Sequence, residues 1–157
     1  KCSFRRFRRI IFKYKGGSYE PPFLVYVLML NMSMTMEIIK EQELHNLAME
    51  VVGKRMEEDG FEFMTVNSEL QKDPQFVCLK DKKLHFVIVR AISYPNNPLD
   101  YDKVLMETVR SHAEKFDAKT YYAGVGLAHA DNYELPLTPK DPYAINFQGL
   151  QKIESNA

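Results

Sequence analysis

Cysteine is scarce in this chain, which contains only Cys2 and Cys78 among its 157 residues. Two cysteines cannot build the disulfide framework of a small secreted domain, and neither belongs to a Cys-x-x-Cys pair. The scarcity also excludes an iron–sulfur cluster that is held by four cysteines. We therefore expect a cytoplasmic protein of a reducing compartment, without a bound cofactor.

Long apolar runs are lacking as well. The run Phe23–Leu30 follows a basic stretch, Arg5–Arg9, in an order that superficially resembles a signal peptide. Two glycines and two prolines separate the two parts, and no small-x-small cleavage site follows them. Eight apolar residues are too few to cross a bilayer, which takes about 20. The sequence therefore predicts neither a signal peptide nor a membrane span.

An excess of either charge is absent from the whole chain, because 21 basic residues balance 21 acidic ones. Residues 1–36 carry seven of the basic residues and one acidic residue, Glu20. Subtraction leaves 14 basic and 20 acidic residues in 37–157, a net charge of −6. Such an acidic domain lacks the electrostatic character of a nucleic-acid-binding protein, so we do not expect a nucleic-acid partner.

The first 36 residues form a basic and apolar N-terminal extension with few structural signals. Four methionines, Met29, Met32, Met34 and Met36, precede the first strongly periodic segment. The favoured interpretation is that translation starts at Met34 or Met36 and that the upstream segment is not native. The alternatives are a membrane-surface anchor, a disordered tail or an added edge strand. We expect residues 1–36 to pack little against the domain formed by residues 37–157.

Hydrophobic periodicity divides residues 37–157 into helices and strands. Apolar residues at three- and four-residue spacing predict helices over Glu37–Asp59 and Asp100–Phe116. Alternating or continuous apolar runs predict strands over Phe61–Val66, Gln75–Lys80, Leu84–Ile92 and Ala118–Leu127, with a later extended segment over Tyr143–Ile153. The predicted order is α-β-β-β-α-β within a single α/β (α+β) domain.

Four short stretches in this domain carry a family pattern. They are Asp59-Gly60-Phe61, Asn67, and the strand segments 73–78 and 86–90. Joined to the element order, they resemble the restriction-endonuclease-like, or PD-(D/E)XK, superfamily, most closely its small bacterial Holliday-junction-resolvase-like branch. In that branch the two strands read G-E-I-D-L-I and F-V-E-V-K, and the fifteen-residue distance from Asp to Lys falls on Gln75 and Arg90 without a gap. The resemblance covers about residues 44–92 and implies a mixed sheet flanked by helices.

The resemblance also implies where a catalytic site would lie. In the family, Asp and Glu on adjacent strands hold Mg²⁺, and Lys activates the attacking water. Here the Asp position is Gln75, the Glu position is Ile88, and the Lys position is Arg90, whose guanidinium cannot act as a base. The family's first-helix Glu falls near Met49, and Glu50 lies one residue further around the helix. We therefore expect no catalytic residues and no metal, with Ile88 buried and Arg90 partly exposed.

A migrated active site is the alternative to a degenerate one. Glu50, Glu69 and Asp73 are its candidate residues, because they lie near the degenerate positions in the sequence. The plainer interpretation is that these acids are solvated loop and helix residues.

Small bacterial proteins that resemble this chain sometimes carry the name of the flavin-carrying component of the Na⁺-translocating NADH–quinone reductase. That component needs four cluster-binding cysteines and flavin and NADH modules, which two cysteines and 157 residues cannot supply. An electron-transfer role is therefore the weakest alternative, and bound flavin or iron–sulfur would be visible as colour in the purified protein.

The remaining signals are weak. Gly124 and Gly126 most simply serve a tight strand end, and the four histidines show no metal-binding spacing. The Pro-rich stretch Leu135–Pro142 is the best candidate for a protein-partner contact. Five aromatic residues could form a binding surface but are more often core residues: Tyr94, Tyr101, Tyr121, Tyr122 and Phe147. The leading hypothesis is a non-catalytic accessory or interaction domain, with a nuclease that has a migrated site as its competitor.

Overall fold

A computed structural model describes residues 12–14, 17–19, 23–137 and 141–154, with the side chains of residues 24–33, 41–137 and 141–154. The chain divides into two compact units, Lys1–Glu37 and Ile38–Ala157. In the first unit, strands β1 (Phe12–Tyr14) and β2 (Gly17–Tyr19) pair as an antiparallel ribbon. Most of the basic residues of the N-terminal extension lie outside the described residues.

Helix α1 spans Phe23–Glu58, so its predicted start at Glu37 was wrong by fourteen residues. The segment from 23 to 36 is rich in Leu and Met and contains no Gly or Pro, so nothing in it ends a helix before Pro22. At the other end, Gly60 takes a φ of +81°, and the N–H of Phe61 donates to the carbonyl of Met56 at 3.0 Å. This arrangement closes the helix with a Schellman motif. Among the described residues, no helix combines the length and the apolar character that a membrane crossing requires.

The second unit contains a mixed six-stranded sheet, so the predicted α+β class is confirmed. The strand order is β3-β4-β5-β6-β7, and β8 also pairs with β6. Among the described strands, β5 and β6 are the one parallel pair, and helix α2 (Lys103–Glu114) connects these two strands. The remaining pairs in this sheet are antiparallel. The strands are β3 (Glu62–Val66), β4 (Phe76–Lys80), β5 (Lys83–Ser93), β6 (Lys119–His129), β7 (Tyr143–Asn146) and β8 (Gln151–Ile153).

The boundaries of most predicted elements lie within three residues of the structure. The exception besides α1 is the segment 143–153, which forms two strands rather than one. Gly149 lies between them with a φ of +97°, a backbone conformation that interrupts an extended strand. Asp102 caps α2, since its carboxylate accepts hydrogen bonds from the N–H groups of Val104 and Leu105 at 2.9 and 3.0 Å.

A two-residue turn sets the register between β4 and β5. Lys80 pairs with Lys83, and the turn residues Asp81 and Lys82 have φ values of 52° and 62°, as a type I′ hairpin requires. The register continues to Phe76 opposite Val87. Extending the same register three residues beyond this pair brings residue 73 opposite residue 90.

The two helices cover opposite faces of the sheet. On one face, Val52 and Met56 of α1 pack against a cluster that includes Val87, Val89 and Val125. On the other face, Met106 and Val109 of α2 pack against Ile88, Tyr122 and Ile153. Strand β5 therefore has apolar cover on both sides, which explains its continuous apolar run.

Gly124 and Gly126 lie inside β6 rather than at its end, so the interpretation of these glycines as a tight strand end was wrong. A Cβ atom at position 124 would lie 1.8 Å from the carbonyl oxygen of Pro98. At position 126 it would lie 3.2 Å from the Pro98 side chain. The two glycines therefore let the connection between β5 and α2 approach the sheet.

We expect Gly124→Ala to lower the free energy of unfolding by about 2–3 kcal/mol, because the methyl group displaces the Pro98 backbone. Gly53→Ala is the matched control, since a Cβ at that helical position would be 3.6 Å from Phe76, an ordinary contact. It should raise stability by about 0.5–1 kcal/mol. Urea denaturation of both variants measures the difference, and equal effects would contradict the close approach.

Candidate functional site

The three positions at which the family resemblance would place the nuclease motif lie close together at one end of the β4–β5 pair. Gln75 immediately precedes β4, while Ile88 and Arg90 belong to β5. Ile88 has no exposed surface and packs in the apolar cluster under α2. The Arg90 side chain is 24% exposed. Position 88 therefore contributes apolar contacts and no ligand atoms.

Arg90 forms a two-pronged ion pair with Asp73. Its Nη1 donates to Oδ1 of Asp73 at 2.9 Å, and its Nη2 donates to Oδ2 at 2.7 Å. Nη1 also donates to the carbonyl of Val89 at 2.9 Å. The Asp73 side chain is only 11% exposed, so solvent screens this pair less than a surface pair. The pair therefore fixes the loop before β4 against β5.

Gln75 is fully buried and uses both ends of its amide. Its Nε2 donates to Oδ1 of Asp73 at 2.9 Å and to the carbonyl of Lys72 at 3.2 Å. Its Oε1 accepts from the backbone N–H of Val89 at 2.9 Å and from Arg90 at 3.4 Å. A carboxylate at this position would lose both donated bonds and would repel Asp73. The neutral amide is therefore the side chain that this buried position accommodates.

His45 of α1 lies within electrostatic reach of the same ion pair. The side chain is 1% exposed, and neither ring nitrogen has a hydrogen-bond partner among the described residues. Burial lowers the pKa of His45, and the positive charge of Arg90 lowers it further, while Asp73 opposes this only in part. His45 is therefore neutral near pH 7.

The carboxyl group of Asp73 is held ionised by its neighbours. Burial by itself raises its pKa, but the hydrogen bond and the positive charge of Arg90 together lower the pKa below its ordinary value. The hydrogen bond from Gln75 lowers it further. The charges of Asp73 and Arg90 therefore neutralise each other, and the hydrogen bonds from Arg90 and Gln75 leave Asp73 little capacity to bind an additional ion.

The loop that carries Asp73 is also tied to α1 by Gln42. The Nε2 of Gln42 donates to the carbonyl of Ser68 at 2.6 Å, and its Oε1 accepts from the N–H of Leu70 at 3.1 Å. The loop is therefore held at two points, by α1 near its middle and by β5 near its end.

The three candidates for a migrated site do not converge. Glu50 is exposed on α1, beside an open groove of about 690 Å³ between α1 and β3. Glu69 is 65% exposed and pairs with Lys72, and Asp73 is bound to Arg90. Within the part of the chain that the structure describes, no three His, Cys, Asp or Glu side chains are placed to hold a metal ion. The residues around Arg90 do not fit the Mg²⁺ that the family resemblance implies.

The aromatic residues do not form one surface. Tyr122 is buried and packs against Tyr101 at a ring distance of 5.2 Å, on the α2 side of the sheet. Tyr121 and Phe147 pack against the cluster on the α1 side. Tyr94 is 51% exposed and contacts Tyr133. Of the Pro-rich stretch 135–142, Leu135 is exposed, and residues 138–140 lie outside the described residues.

Sequence reasoning identified Asp73 only as a possible metal ligand and missed its partner. Two signals were present: the short charged turn after Lys80, which sets the hairpin register, and an arginine directly after the apolar run 86–89. Counting back from that turn places Asp73 opposite Arg90. His45 gave no comparable signal, because its burial depends on how α1 meets the sheet.

We expect Asp73→Ala to lower the free energy of unfolding by about 2–3 kcal/mol, because Arg90 and Gln75 lose their charged partner. Adding Arg90→Ala should cost less than the sum of the two single changes, since the residues are coupled. Glu69→Ala breaks the exposed pair with Lys72 and should change stability little. Urea denaturation of the four variants checks this, and additive effects at residues 73 and 90 would contradict the pairing.

Acidification should destabilise the domain through His45. Because burial lowers the pKa of the folded-state His45 below its ordinary value of about 6.5, the unfolded chain binds more protons in that range. The contribution of His45 to stability is therefore complete at about pH 7.5 and is lost as the pH falls through about 6.5 toward the folded-state pKa. His85, whose pKa is also lowered by burial, adds to the same slope.

His45→Leu should reduce, without abolishing, the loss of stability between about pH 7.5 and about pH 5.5, because His85 remains. Urea denaturation at several pH values gives the slope independently of the variant's stability at neutral pH. An unchanged slope in His45→Leu would show that His45 is not held neutral by its surroundings.

Comparison with known proteins identifies the family of this chain. A family model described as a domain of unknown function, DUF8840, matches residues 42–153, which include α1 from Gln42 onward and all six strands of the mixed sheet. Neither the curated proteins nor the solved structures contain a match. The matched region covers more than two thirds of the 157 residues and includes Asp73, Gln75 and Arg90. The chain therefore belongs to the DUF8840 family.

Proposed function

We propose that residues 37–157 form a non-catalytic accessory or interaction domain on a degenerate PD-(D/E)XK nuclease fold. The order α1-β3-β4-β5-α2-β6 supports the fold assignment, because it is the order that the resemblance implies. The mixed sheet gives further support, with three antiparallel strands followed by one strand parallel to β5.

The observation that carries the proposal is the closed arrangement of Asp73, Gln75 and Arg90. In an active member of the superfamily, positions 75, 88 and 90 would hold two carboxylates and a lysine around a metal-bound water. Here the one nearby carboxylate neutralises the arginine, and the amide hydrogen-bonds to both residues. A divalent cation would have to displace Arg90 from Asp73 and would gain no second carboxylate.

The apolar character of position 88 adds an independent argument. Complete burial of an isoleucine stabilises a domain by about 1.5–3 kcal/mol relative to an exposed side chain. A glutamate in the same cluster under α2 would be desolvated without a partner. The site therefore contributes stability in place of catalysis, as expected of a non-catalytic accessory or interaction domain.

The competing function is a metal-dependent nuclease with a migrated site. Glu50 offers it the most favourable observation, because this exposed carboxylate lines the groove between α1 and β3. Glu57 also lines that groove, but Lys54 lies between the two acids and reduces the local negative charge. A nuclease site would need a third ligand there, and apart from these three charged residues the described lining supplies only apolar and neutral polar side chains.

We expect the purified chain to cleave neither DNA nor RNA in the presence of Mg²⁺ or Mn²⁺. The physical reason is that Gln75, Ile88 and Arg90 supply no anionic ligand, and that residues 37–157, which carry a net charge of −6, repel phosphate backbones. The assay uses branched, duplex and single-stranded substrates, with a known nuclease as a positive control.

Two variants distinguish a true activity from contamination. Glu50→Ala and Asp73→Ala are assayed beside the unmodified chain under the same conditions. Metal-dependent cleavage that disappears in either variant would falsify the non-catalytic proposal and support the migrated site. Cleavage that persists equally in both variants identifies a contaminant.

A further inference from the structure

A second cavity lies on the other side of β5 from the Asp73–Arg90 pair. It has a volume of about 350 Å³ and lies near the carboxyl ends of the parallel strands β5 and β6, where β7 joins the sheet. Sheets with parallel strands commonly bind small ligands beyond these ends. The volume falls within the range of about 300–1,000 Å³ that is typical of small-molecule sites. We call this cavity the β6–β7 pocket.

The β6–β7 pocket is lined without charge. None of the described residues around it is Asp, Glu, Lys or Arg, although 27% of the chain is charged. A phosphate or carboxylate group would lose its hydration there without gaining a cationic partner. The pocket therefore suits an uncharged ligand.

Two tyrosines form an aromatic wall of the pocket. The rings of Tyr94 and Tyr133 are 5.7 Å apart at an angle of 52°, and the residues are 51% and 53% exposed. Because the rings contact each other rather than stand apart, a ligand would pack against one side of the pair. Flat rings gain favourable stacking and edge contacts on such a surface.

Two asparagine amides supply the polar groups. Asn96 and Asn146 both line the pocket, and neither side-chain amide hydrogen-bonds to another described residue. An asparagine amide presents a donor beside an acceptor, and this pair matches the edge of a nucleobase such as adenine.

Gly126 forms part of the floor of the pocket. A Cβ atom there would lie 3.1 Å from the Cβ of Asn146 and 3.2 Å from the Cγ of Pro98. A side chain at position 126 would therefore push apart strand β7, which carries Asn146, and the connection that contains Asn96 and Pro98. The glycine therefore lets Pro98 and Asn146 pack closely over β6 at the floor of the pocket.

We propose that the β6–β7 pocket binds an uncharged flat ring with amide-type donors and acceptors, of nucleobase or nucleoside size. The uncharged lining selects against phosphate, the tyrosine wall stacks the ring, and the two amides read its polar edge. This site is separate from the ion pair of Asp73 and Arg90, so ligand binding there does not depend on the absence of nuclease activity.

The test is a titration of the isotopically labelled full chain with adenosine and with uridine, followed by NMR. At least one nucleoside should shift resonances of the pocket residues with a dissociation constant below about 1 mM. Adenosine monophosphate should bind more weakly than adenosine, and methyl glucoside should not compete.

Three variants locate the site. Tyr94→Ala and Tyr133→Ala should each weaken nucleoside binding about tenfold, since base stacking on an aromatic side chain is lost. Asn146→Ala tests the polar edge without changing the aromatic wall and should also weaken binding. Tyr143→Ala is the matched control, because this tyrosine is 40% exposed on β7 but does not line the pocket. It should leave the affinity unchanged.

Several results would overturn the proposal. They are the absence of binding to both nucleosides, tighter binding of the monophosphate, tighter binding of methyl glucoside, and equal affinities in Tyr94→Ala, Tyr133→Ala and Tyr143→Ala. Melting curves of each variant show whether it is folded, and Asn146→Ala keeps the test decisive if a tyrosine variant unfolds.

Discussion

Strand β5 is hydrogen-bonded along both edges and covered by a helix on each face, and the rest of the domain is arranged around that burial. Val87 and Val89 face α1, and Ile88 faces α2, so no position between them can carry an unpaired charge. Arg90 lies at the end of the part of β5 that the helices cover. Its positive charge requires a negatively charged partner in a fixed position. The loop before β4 supplies Asp73, and the pairing fixes that loop in turn.

Asp73, Arg90, Gln75 and His45 form one group of side chains. Their charge states are set by one another more than by solvent. The arginine keeps the pKa of Asp73 low, the amide of Gln75 bridges the two side chains, and His45 stays neutral beside them. A group of this kind is stable only when each member keeps its charge state. Its physical properties are those of a structural element, which agrees with the proposed non-catalytic role. An enzyme's metal site would instead have to remain hydrated and accessible to substrate.

The local parts of the fold were predictable, and the contacts between distant segments were less so. Periodicity located α2 and the strands β4, β5 and β6, because each of these elements buries one face or both. It failed for the start of α1, since an apolar segment without Gly or Pro can extend a helix with no change of pattern. The roles of Gly124 and Gly126 were missed because they depend on Pro98, which approaches β6 from another part of the chain. Asp73 opposite Arg90 was within reach of sequence analysis, given the hairpin register, whereas the burial of His45 was not.

The two edges of β5 lead to sites of opposite character. On the β4 side, donors and acceptors satisfy one another, and the apolar residue Ile88 completes the core. On the β6 side, glycines bring Pro98 close to the sheet, and the neighbouring pocket exposes tyrosine rings and asparagine amides that have no partner among the described residues. A ligand needs free hydrogen-bonding groups beside an exposed aromatic surface, and the ion pair of Asp73 and Arg90 offers neither. The groups that a small molecule would need therefore lie at the β6–β7 pocket and not around Arg90.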